Sequence, residues 1–238
     1  MLSNAFAIVT GGGGGIGRAI CMALACCGTT VWAVGRSAPP LSHTASRVQG
    51  RVKAYIADLE DEAQIAQLAR DAEREHGRLD ILVHSAGTIA HGTVGEAPLA
   101  VLDSQFRSNM RLPYGVTREL LPLLRKAPGQ IVFINSSIVD GAPRSNVGHY
   151  AAMQHAVRAF ADTLREEVNA DGIRVLCVYP GRTATPRQAK LYRSRGDAYR
   201  PEVLLQPEDI ATMVTAAVAL PPTAEVTEIK LRPLRKSY

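Results

Sequence analysis

Short apolar runs alternate with amphipathic stretches along the whole chain, and this alternation predicts its secondary structure. Seven runs, rich in β-branched and aromatic residues, have the length of buried strands. Stretches with apolar residues at helical spacing lie between them. The predicted strands are residues 6–10, 30–34, 52–57, 79–83, 130–135, 173–179 and 226–231, and the predicted helices are residues 16–27, 61–76, 98–126, 149–169 and 207–220.

Strands that alternate with helices are typical of a parallel sheet covered by helices on both faces. The pattern therefore predicts an α/β fold, a doubly wound (Rossmann) sheet of seven parallel strands, with residues 1–238 in a single domain. Three segments fit less well. Residues 37–50 are polar with two adjacent prolines, so we expect mostly loop, at most a short turn of helix. Residues 182–206 are basic and expected to be irregular, and two prolines inside 98–126 predict a kink or break in that helix.

Composition and charge exclude several classes of protein. No apolar run reaches the roughly 20 residues that cross a bilayer, and the first residues lack the features of a signal peptide, so we expect a cytoplasmic protein. The net charge of +5 comes without a basic tract interleaved with aromatic residues, which argues against nucleic acid and for a solvated basic surface or anionic small molecules. The four cysteines have no zinc-site spacing, so no metal is predicted, and we expect buried, reduced thiols.

A glycine-rich loop joins the first predicted strand to the first predicted helix. Residues 10–17 read T-G-G-G-G-G-I-G. Backbone amides at a helix start can approach a pyrophosphate closely only where no Cβ intervenes, and the helix N-terminus adds partial positive charge. Five glycines are also compatible with a flexible turn, but the strand before them and the helix after them favour a dinucleotide site.

The end of the second strand indicates which dinucleotide binds. In such folds a carboxylate at this position holds the ribose 2′-hydroxyl, whereas a basic group accepts a 2′-phosphate. Here the sequence reads Gly35-Arg36-Ser37. The guanidinium fork of Arg36 matches phosphate geometry, so NADP(H) is favoured over NAD(H). The alternative is that Arg36 is an ordinary exposed charge.

Several further motifs, together with this loop, resemble the short-chain dehydrogenase/reductase family over essentially the whole chain. The loop matches TGxxxGIG, an acidic–aliphatic pair follows the third strand, H-S-A-G stands where the family has NNAG, and residues 180–185 match PGxxxT. The resemblance implies an NAD(P)-dependent oxidoreductase, acting on a carbonyl or alcohol, that forms a homodimer or homotetramer. The cofactor-binding residues it implies, together with Arg36 and Ser37, are Gly11, Gly13, Gly14, Gly15, Ile16, Gly17, Asp58, Leu59, Ser85, Ala86, Gly87, Tyr150, Gln154, Pro180, Gly181, Thr183 and Thr185.

The same resemblance implies catalytic roles for Asn109, Ser137 and Tyr150. Tyr150 follows Ser137 by thirteen residues, the family's usual gap, which selects Ser137 over Ser136. A serine hydroxyl can stabilise the oxygen of a developing alkoxide, and a phenol can deliver its proton. The backbone carbonyl of Asn109 is implied to hold a water in the proton relay.

One expected catalytic residue is missing. The family has lysine four residues after the tyrosine, but this chain has Gln154. Glutamine can bond the ribose hydroxyls but carries no charge, and losing a cation one helical turn away raises a phenol pKa by about one to three units. We expect neither His155 nor Arg158 to replace it. Three interpretations stay open: a slow or alkaline-shifted NADP-dependent reductase, a redox-neutral enzyme on the same fold, and a catalytically silent NADP-binding sensor or scaffold.

Substrate signals are weak. The basic segment 182–206 lies where the family closes a lid over substrate, which favours an anionic small molecule; a solvated, mobile lid is the alternative. His91, His149 and Tyr114 are candidates for the pocket lining.

Overall fold

The computed structural model describes residues 2–48, 50–141 and 145–235. Seven strands form one parallel sheet in the order β3-β2-β1-β4-β5-β6-β7. Because β1 pairs with β2 on one side and with β4 on the other, the chain reverses its direction of travel across the sheet there, and a crevice opens at the carboxyl ends of β1 and β4. The strands are β1 (Phe6–Thr10), β2 (Thr30–Gly35), β3 (Val52–Ile56), β4 (Ile81–His84), β5 (Gln130–Ile134), β6 (Arg174–Pro180) and β7 (Glu228–Leu231).

Helices cover both faces of the sheet, which confirms the predicted fold class. The alternation of side chains along each strand divides the core: Phe6 and Ile8 face one layer, and Ala7 and Val9 face the other. Helices α3, α5 and α6 cover the first face, and α1, α2 and α8 the second. The helices are α1 (Gly15–Cys26), α2 (Ala38–Ser46), α3 (Glu62–His76), α4 (Leu99–Phe106), α5 (Leu112–Leu124), α6 (Gly148–Val168), α7 (Pro186–Arg195) and α8 (Pro207–Val218).

Two segments expected to be irregular contain helices. The nine residues of α2 replace most of the loop expected at 37–50, because both prolines lie in its first turn, where a missing N–H breaks no helical bond. Helix α7 occupies the middle of the basic segment: Thr185 accepts a bond from the backbone N–H of Gln188 at its start, and Gly196 ends it in a left-handed conformation. No residue of α7 is buried, so its sequence has no apolar period from which to predict it.

The helix predicted at 98–126 is broken, as its prolines indicated. A π-helical turn, Arg107–Arg111, separates α4 from α5. Pro113, in the first turn of α5, has no N–H to donate to the carbonyl of Asn109 four residues earlier. Asn109 therefore lies in an irregular turn whose hydrogen-bond register differs from that of the flanking helices.

The expectation of buried cysteines is half wrong. Cys21 and Cys177 are buried, but Cys26 and Cys27, at the end of α1, are exposed, because the helix ends where it leaves the core. All four are free thiols. Among the described residues, no helix is long and apolar enough to cross a membrane.

Candidate active site

A cleft of about 1410 Å³ lies along the carboxyl ends of the strands, at the point where the strand order reverses. It unites almost all of the cofactor and catalytic residues predicted from the sequence. Gly13, Gly17 and Ser37 are exceptions and do not line it. The predicted residues that do are Gly11, Gly14, Gly15, Ile16, Arg36, Asp58, Leu59, Ser85, Ala86, Gly87, Asn109, Ser137, Tyr150, Gln154, Pro180, Gly181, Thr183 and Thr185.

The glycine loop is packed so tightly that side chains would not fit. A Cβ on Gly17 would lie 2.4 Å from the carbonyl oxygen of Gly11, and one on Gly11 would lie 2.8 Å from the backbone nitrogen of Ala86. The Thr10 hydroxyl accepts bonds from the backbone N–H groups of Ser85 and Ala86, at 3.1 and 3.2 Å. Gly14, in contrast, has open space around it, on the side where a phosphate group would approach the start of α1.

The three predicted residues outside the cleft support its walls. Gly17 lets the first turn of α1 contact the loop, and Gly13 faces Pro40 of α2. Ser37 immediately precedes α2.

Arg36 stands at one end of the cleft, just after β2, and is exposed. Within the described residues, its guanidinium makes no hydrogen bond or ion pair. The carboxylate of Asp58, which follows β3, accepts a bond from the backbone N–H of Glu60 at 3.1 Å. This end of the cleft therefore presents one unpaired cation beside a carboxylate that is already engaged.

The buried Asn109 side chain fixes the loop after β4. Its Oδ1 accepts a bond from the Thr88 backbone N–H at 2.8 Å, and its Nδ2 donates to the Thr88 carbonyl, also at 2.8 Å. A Cβ on Gly87 would lie 2.9 Å from Asn109 Oδ1, so only glycine permits this approach. The amide of Asn109 thus has a structural task, which leaves its backbone carbonyl for any role in proton transfer.

The phenol of Tyr150 lies in the cleft at the start of α6. Burial raises its pKa above the ordinary value of 10, while a hydrogen bond with the Ser136 hydroxyl and the positive charge of Arg187 lower it. Burial is the largest effect, so the phenol stays protonated at neutral pH. The hydroxyl can therefore donate a proton, but it is a weak acid.

Both serines after β5 line the cleft. Ser136 caps the short 3₁₀ turn Ser137–Val139, since its Oγ accepts a bond from the Ile138 N–H, and its hydroxyl is the one that lowers the pKa of Tyr150. The hydroxyl of Ser137 makes no hydrogen bond within the described residues. Sequence spacing selected Ser137; the contact between Ser136 and the phenol was not foreseen, because spacing does not reveal which hydroxyl a turn directs at a neighbour.

Gln154 lines the cleft one helical turn from Tyr150, and only 7% of its surface is exposed. Its backbone carbonyl accepts a bond from Asn135 Nδ2 at 3.0 Å, which ties α6 to the end of β5. Arg158, further along the same helix, pairs with Asp140 at 3.0 Å and Glu228 at 3.1 Å, and His155 is exposed. These contacts agree with the expectation that neither residue replaces the lysine charge.

His84, the first residue of the H-S-A-G motif, lies at the end of β4 and is a buried member of the cleft wall. Its Nε2 lies 2.8 Å from Thr117 Oγ1, its ring stacks on Phe133, and its Nδ1 has no partner within the described residues. Burial lowers its pKa from 6.5 to about 3. His84 is therefore neutral at physiological pH.

The candidate pocket residues have different outcomes. His91 lines the cleft, and its pKa is lowered by burial and further by the charges of Arg195 and His149. His149 is not in the lining; its Nε2 bonds the Ala90 carbonyl at 2.9 Å. The expectation for Tyr114 is wrong, because its ring is half exposed and stacks against Phe160 outside the cleft.

The basic segment contributes four guanidinium groups to the opposite wall of the cleft, from Arg182, Arg187, Arg195 and Arg200, together with the carboxylate of Asp197. Arg187, which the sequence identified only as one of the basic residues of segment 182–206, donates from Nη2 to the Gly87 carbonyl at 2.6 Å. Because Arg187 reaches the Gly87 carbonyl from α7, and the sequence did not predict α7, the sequence could not predict this contact.

Comparison with known proteins gives consistent matches. Residues 5–196 match the family model for short chain dehydrogenase. An uncharacterised oxidoreductase of Staphylococcus saprophyticus is 28% identical over 98% of this chain and 99% of its own length. A short chain dehydrogenase structure from Shigella flexneri 2a, complexed with NADP, is 28% identical, with a TM-score of 0.87 over 96% of this chain and 97% of that one. A variant of actinorhodin polyketide ketoreductase with NADPH, 23% identical with a TM-score of 0.88 over 97% of each chain, has the same fold.

Proposed function

The chain belongs to the short-chain dehydrogenase/reductase family of oxidoreductases, and from that premise we propose that it interconverts a carbonyl and an alcohol on a small organic substrate with NADP(H). The observation that carries this proposal is the juxtaposition of two features in one cleft. A glycine loop lies at one end with Arg36, which has no partner among the described residues, and the partly buried phenol of Tyr150 lies at the other beside Ser136 and Ser137.

The residues present fit a dinucleotide. The loop offers backbone amides where Gly14 leaves open space, and the close approaches at Gly11 and Gly17 define its shape. The Arg36 guanidinium, without a partner among the described residues, suits a 2′-phosphate rather than a 2′-hydroxyl. The rest of the binding surface would be formed by residues that follow β3, β4 and β6, namely Asp58, Leu59, Ser85, Ala86, Gly87, Pro180, Gly181, Thr183 and Thr185.

When bound, the nicotinamide supplies or accepts the hydride. In the reducing direction, Tyr150 donates its phenolic proton to the carbonyl oxygen as that oxygen gains negative charge. Ser137, whose hydroxyl has no partner within the described residues, donates a hydrogen bond to the same oxygen. Ser136 holds the phenol in place, and Gln154 offers an amide to the ribose hydroxyls.

Arg36→Gln tests the cofactor preference. We expect wild-type protein to bind NADPH at least about tenfold more tightly than NADH, because a charge-assisted fork to a phosphate is worth about 1.5–3 kcal/mol. The variant should lose that preference and keep its affinity for NADH. Fluorescence titration measures both, and Lys53→Gln, far from the cleft on β3, is the charge-matched control.

Ser137→Ala and Ser136→Ala divide the roles of the two serines. Ser137→Ala removes the donor to the reacting oxygen and should lower kcat by about 100-fold. Ser136→Ala removes the group that orients the phenol, so it should lower kcat less and change the pH profile of kcat. Tight NADPH binding without turnover of any compound in a panel of carbonyls would favour the catalytically silent sensor or scaffold. Product formation without net oxidation of NADPH would indicate a redox-neutral enzyme.

The substrate is proposed to be anionic, because four arginines and one aspartate line the wall formed by α7 and its flanking residues, and of these arginines Arg200 is paired with Glu202 at 3.1 Å. The prediction is that organic anions compete with substrate more strongly than neutral analogues of similar size. Equal inhibition by both would favour the alternative, a solvated lid.

The protein is also proposed to form a homodimer or homotetramer in the cytoplasm, with residues 1–238 as one catalytic domain. An apolar stripe on α4 supports association: Leu99, Leu102 and Phe106 recur at helical spacing and are 78, 41 and 47% exposed. A second copy of this chain is the proposed occupant of that stripe. Four free thiols suit a reducing compartment.

A further inference from the structure

The phenol of Tyr150 is partly buried in the cleft and has a neutral glutamine one helical turn away, where a lysine is expected. A buried phenol without a nearby cation holds its proton too tightly to exchange it readily. Arg158, two turns further along α6, forms ion pairs with Asp140 and Glu228. The charge must therefore come from a different element.

Arg187 lies across the cleft from α6, in the first turn of α7. Its Nη2 donates to the carbonyl of Gly87 at 2.6 Å, so the side chain spans the cleft from α7 to the loop after β4. That loop is itself rigid, because Asn109 bonds both the N–H and the carbonyl of Thr88, the next residue. The guanidinium is thus tied to the loop after β4, which lines the same cleft as Tyr150.

We propose that Arg187 is a positioning residue that supplies to Tyr150, from α7, the positive charge that the family places on α6. The inference rests on the proposed function in so far as Tyr150 is the proton donor. In this arrangement Arg187 supplies the positive charge that the lysine would place near the phenol. Gln154 supplies the hydrogen bonds to the ribose hydroxyls.

The electrostatics of the cleft support this assignment. Burial raises the pKa of Tyr150, and among the described residues the Ser136 hydroxyl after β5 and the positive charge of Arg187 lower it. On α6 itself the neighbouring His149 bonds Ala90. The other charged or titratable groups in this part of the lining are His84, His91, Arg182, Tyr192, Arg195, Asp197 and Arg200.

One consequence separates this arrangement from a lysine on α6. A charge carried by α7 acts on the phenol only while α7 lies over the cleft, whereas a lysine on the same helix as the tyrosine always acts. The acidity of Tyr150 is therefore coupled to the position of α7.

The test is a direct titration of Tyr150 that needs neither substrate nor cofactor. Fluorotyrosine in place of tyrosine lowers the phenol pKa into an accessible range and gives a ¹⁹F signal, which Tyr150→Phe assigns among the seven tyrosines. The titration midpoint of Tyr150 should be higher in Arg187→Gln than in wild type by about half to one pH unit, the effect of a partly solvated charge. Arg187→Lys should restore most of the difference.

Arg193→Gln is the matched control, because it removes the same charge from the same helix but does not line the cleft. An unchanged midpoint in Arg187→Gln would overturn the inference, and so would an equal rise in Arg193→Gln or a failure of lysine to restore it. Where turnover is measurable, the pH profile of kcat should move with the midpoint. Turnover with an unmoved midpoint would remove this inference alone, and a moved midpoint without turnover on any carbonyl would remove the proposed function alone.

Discussion

Gln154 is the residue on which the chemistry of the site depends most directly. It lies in a buried position one turn from Tyr150, and its amide can take the place of lysine as a hydrogen-bond donor but not as a charge. Arg187 acts from a partly solvated position, so its effect on the phenol should be smaller than that of a buried ammonium.

If the protein is the proposed reductase, Gln154→Lys should move the pH optimum of the reaction to a lower pH than that of wild type. An ammonium at this position lowers the pKa of Tyr150 by about one to three units, so turnover at neutral pH should rise by about tenfold or more. The pH profile of kcat for wild type and variant checks this. Gln154→Met, which is of similar size and uncharged, serves as the control; a rate gain in that variant as well would rule out the charge as the cause.

His84 gives the protein a specific sensitivity to acid. Its pKa is about 3 in the folded protein against 6.5 ordinarily, so below pH 6.5 the unfolded chain takes up a proton that the folded chain does not. The stabilisation is complete above pH 6.5 and is lost as the pH falls, by about 1.4 kcal/mol per pH unit.

In His84→Asn, the free energy of unfolding should fall by about 2 kcal/mol less than in wild type between pH 6.5 and pH 5. Denaturant titrations at the two pH values measure this difference. His155→Asn changes an exposed histidine and should keep the wild-type slope. Identical slopes in all three proteins would show that His84 is not the titrating group.

At the scale of elements, α1 and the glycine loop form a single packed unit. The third residue of the helix, Gly17, sits against the carbonyl of Gly11, and the loop sits on Ala86. The loop is therefore shaped before any ligand arrives, which favours the phosphate-binding interpretation of its glycines over that of a flexible turn.

Gly17→Ala should lower the free energy of unfolding by about 1–3 kcal/mol, the usual result of overpacking, although alanine normally stabilises a helix. Gly14→Ala is the matched control, because a Cβ there meets nothing within 4 Å and the residue is extended, with φ of −168°. Chemical denaturation without cofactor separates the two. Equal stability of both variants would mean that the loop adapts to the extra methyl group.

The sequence predicted the elements that bury an apolar face and missed those that do not. All seven strands lie within a few residues of their predicted positions, because buried runs have a clear composition. Helix α7 buries none of its residues and α2 only Leu41 and Thr44, so neither has an apolar period, and the prolines of α2 argued against a helix although they lie where a helix accepts them.

The same limit explains what was missed in the site. Residues in motifs, such as Gly11, Tyr150 and Thr185, were found because spacing along the chain identifies them. The roles of Arg187 and Ser136 depend on interactions between elements far apart in sequence, which a local sequence pattern cannot predict. Tyr114 was misassigned for the opposite reason: its position along the helix suggested the cleft, but the helix turns it outward.

At the scale of the whole molecule, the apolar stripe on α4 should be covered by a second copy of the chain. Leu102→Glu places a charge in its centre and should at least halve the mass measured by light scattering, relative to wild type. Ile56→Glu, on the edge strand β3 and 59% exposed, is the control and should leave the mass unchanged. A wild-type protein that is already monomeric would contradict the proposal.

The two ends of the cleft are made by separate parts of the chain. Residues up to 60 form the end with Arg36, and residues from 84 onwards form the end with Tyr150, with the boundary between β1 and β4 dividing them. Coenzyme choice and reaction chemistry are consequently open to independent divergence. A chimaera in which residues up to 60 come from a relative should use the relative's coenzyme and keep the substrate of this protein. The fold therefore allows coenzyme preference to change without a change of substrate.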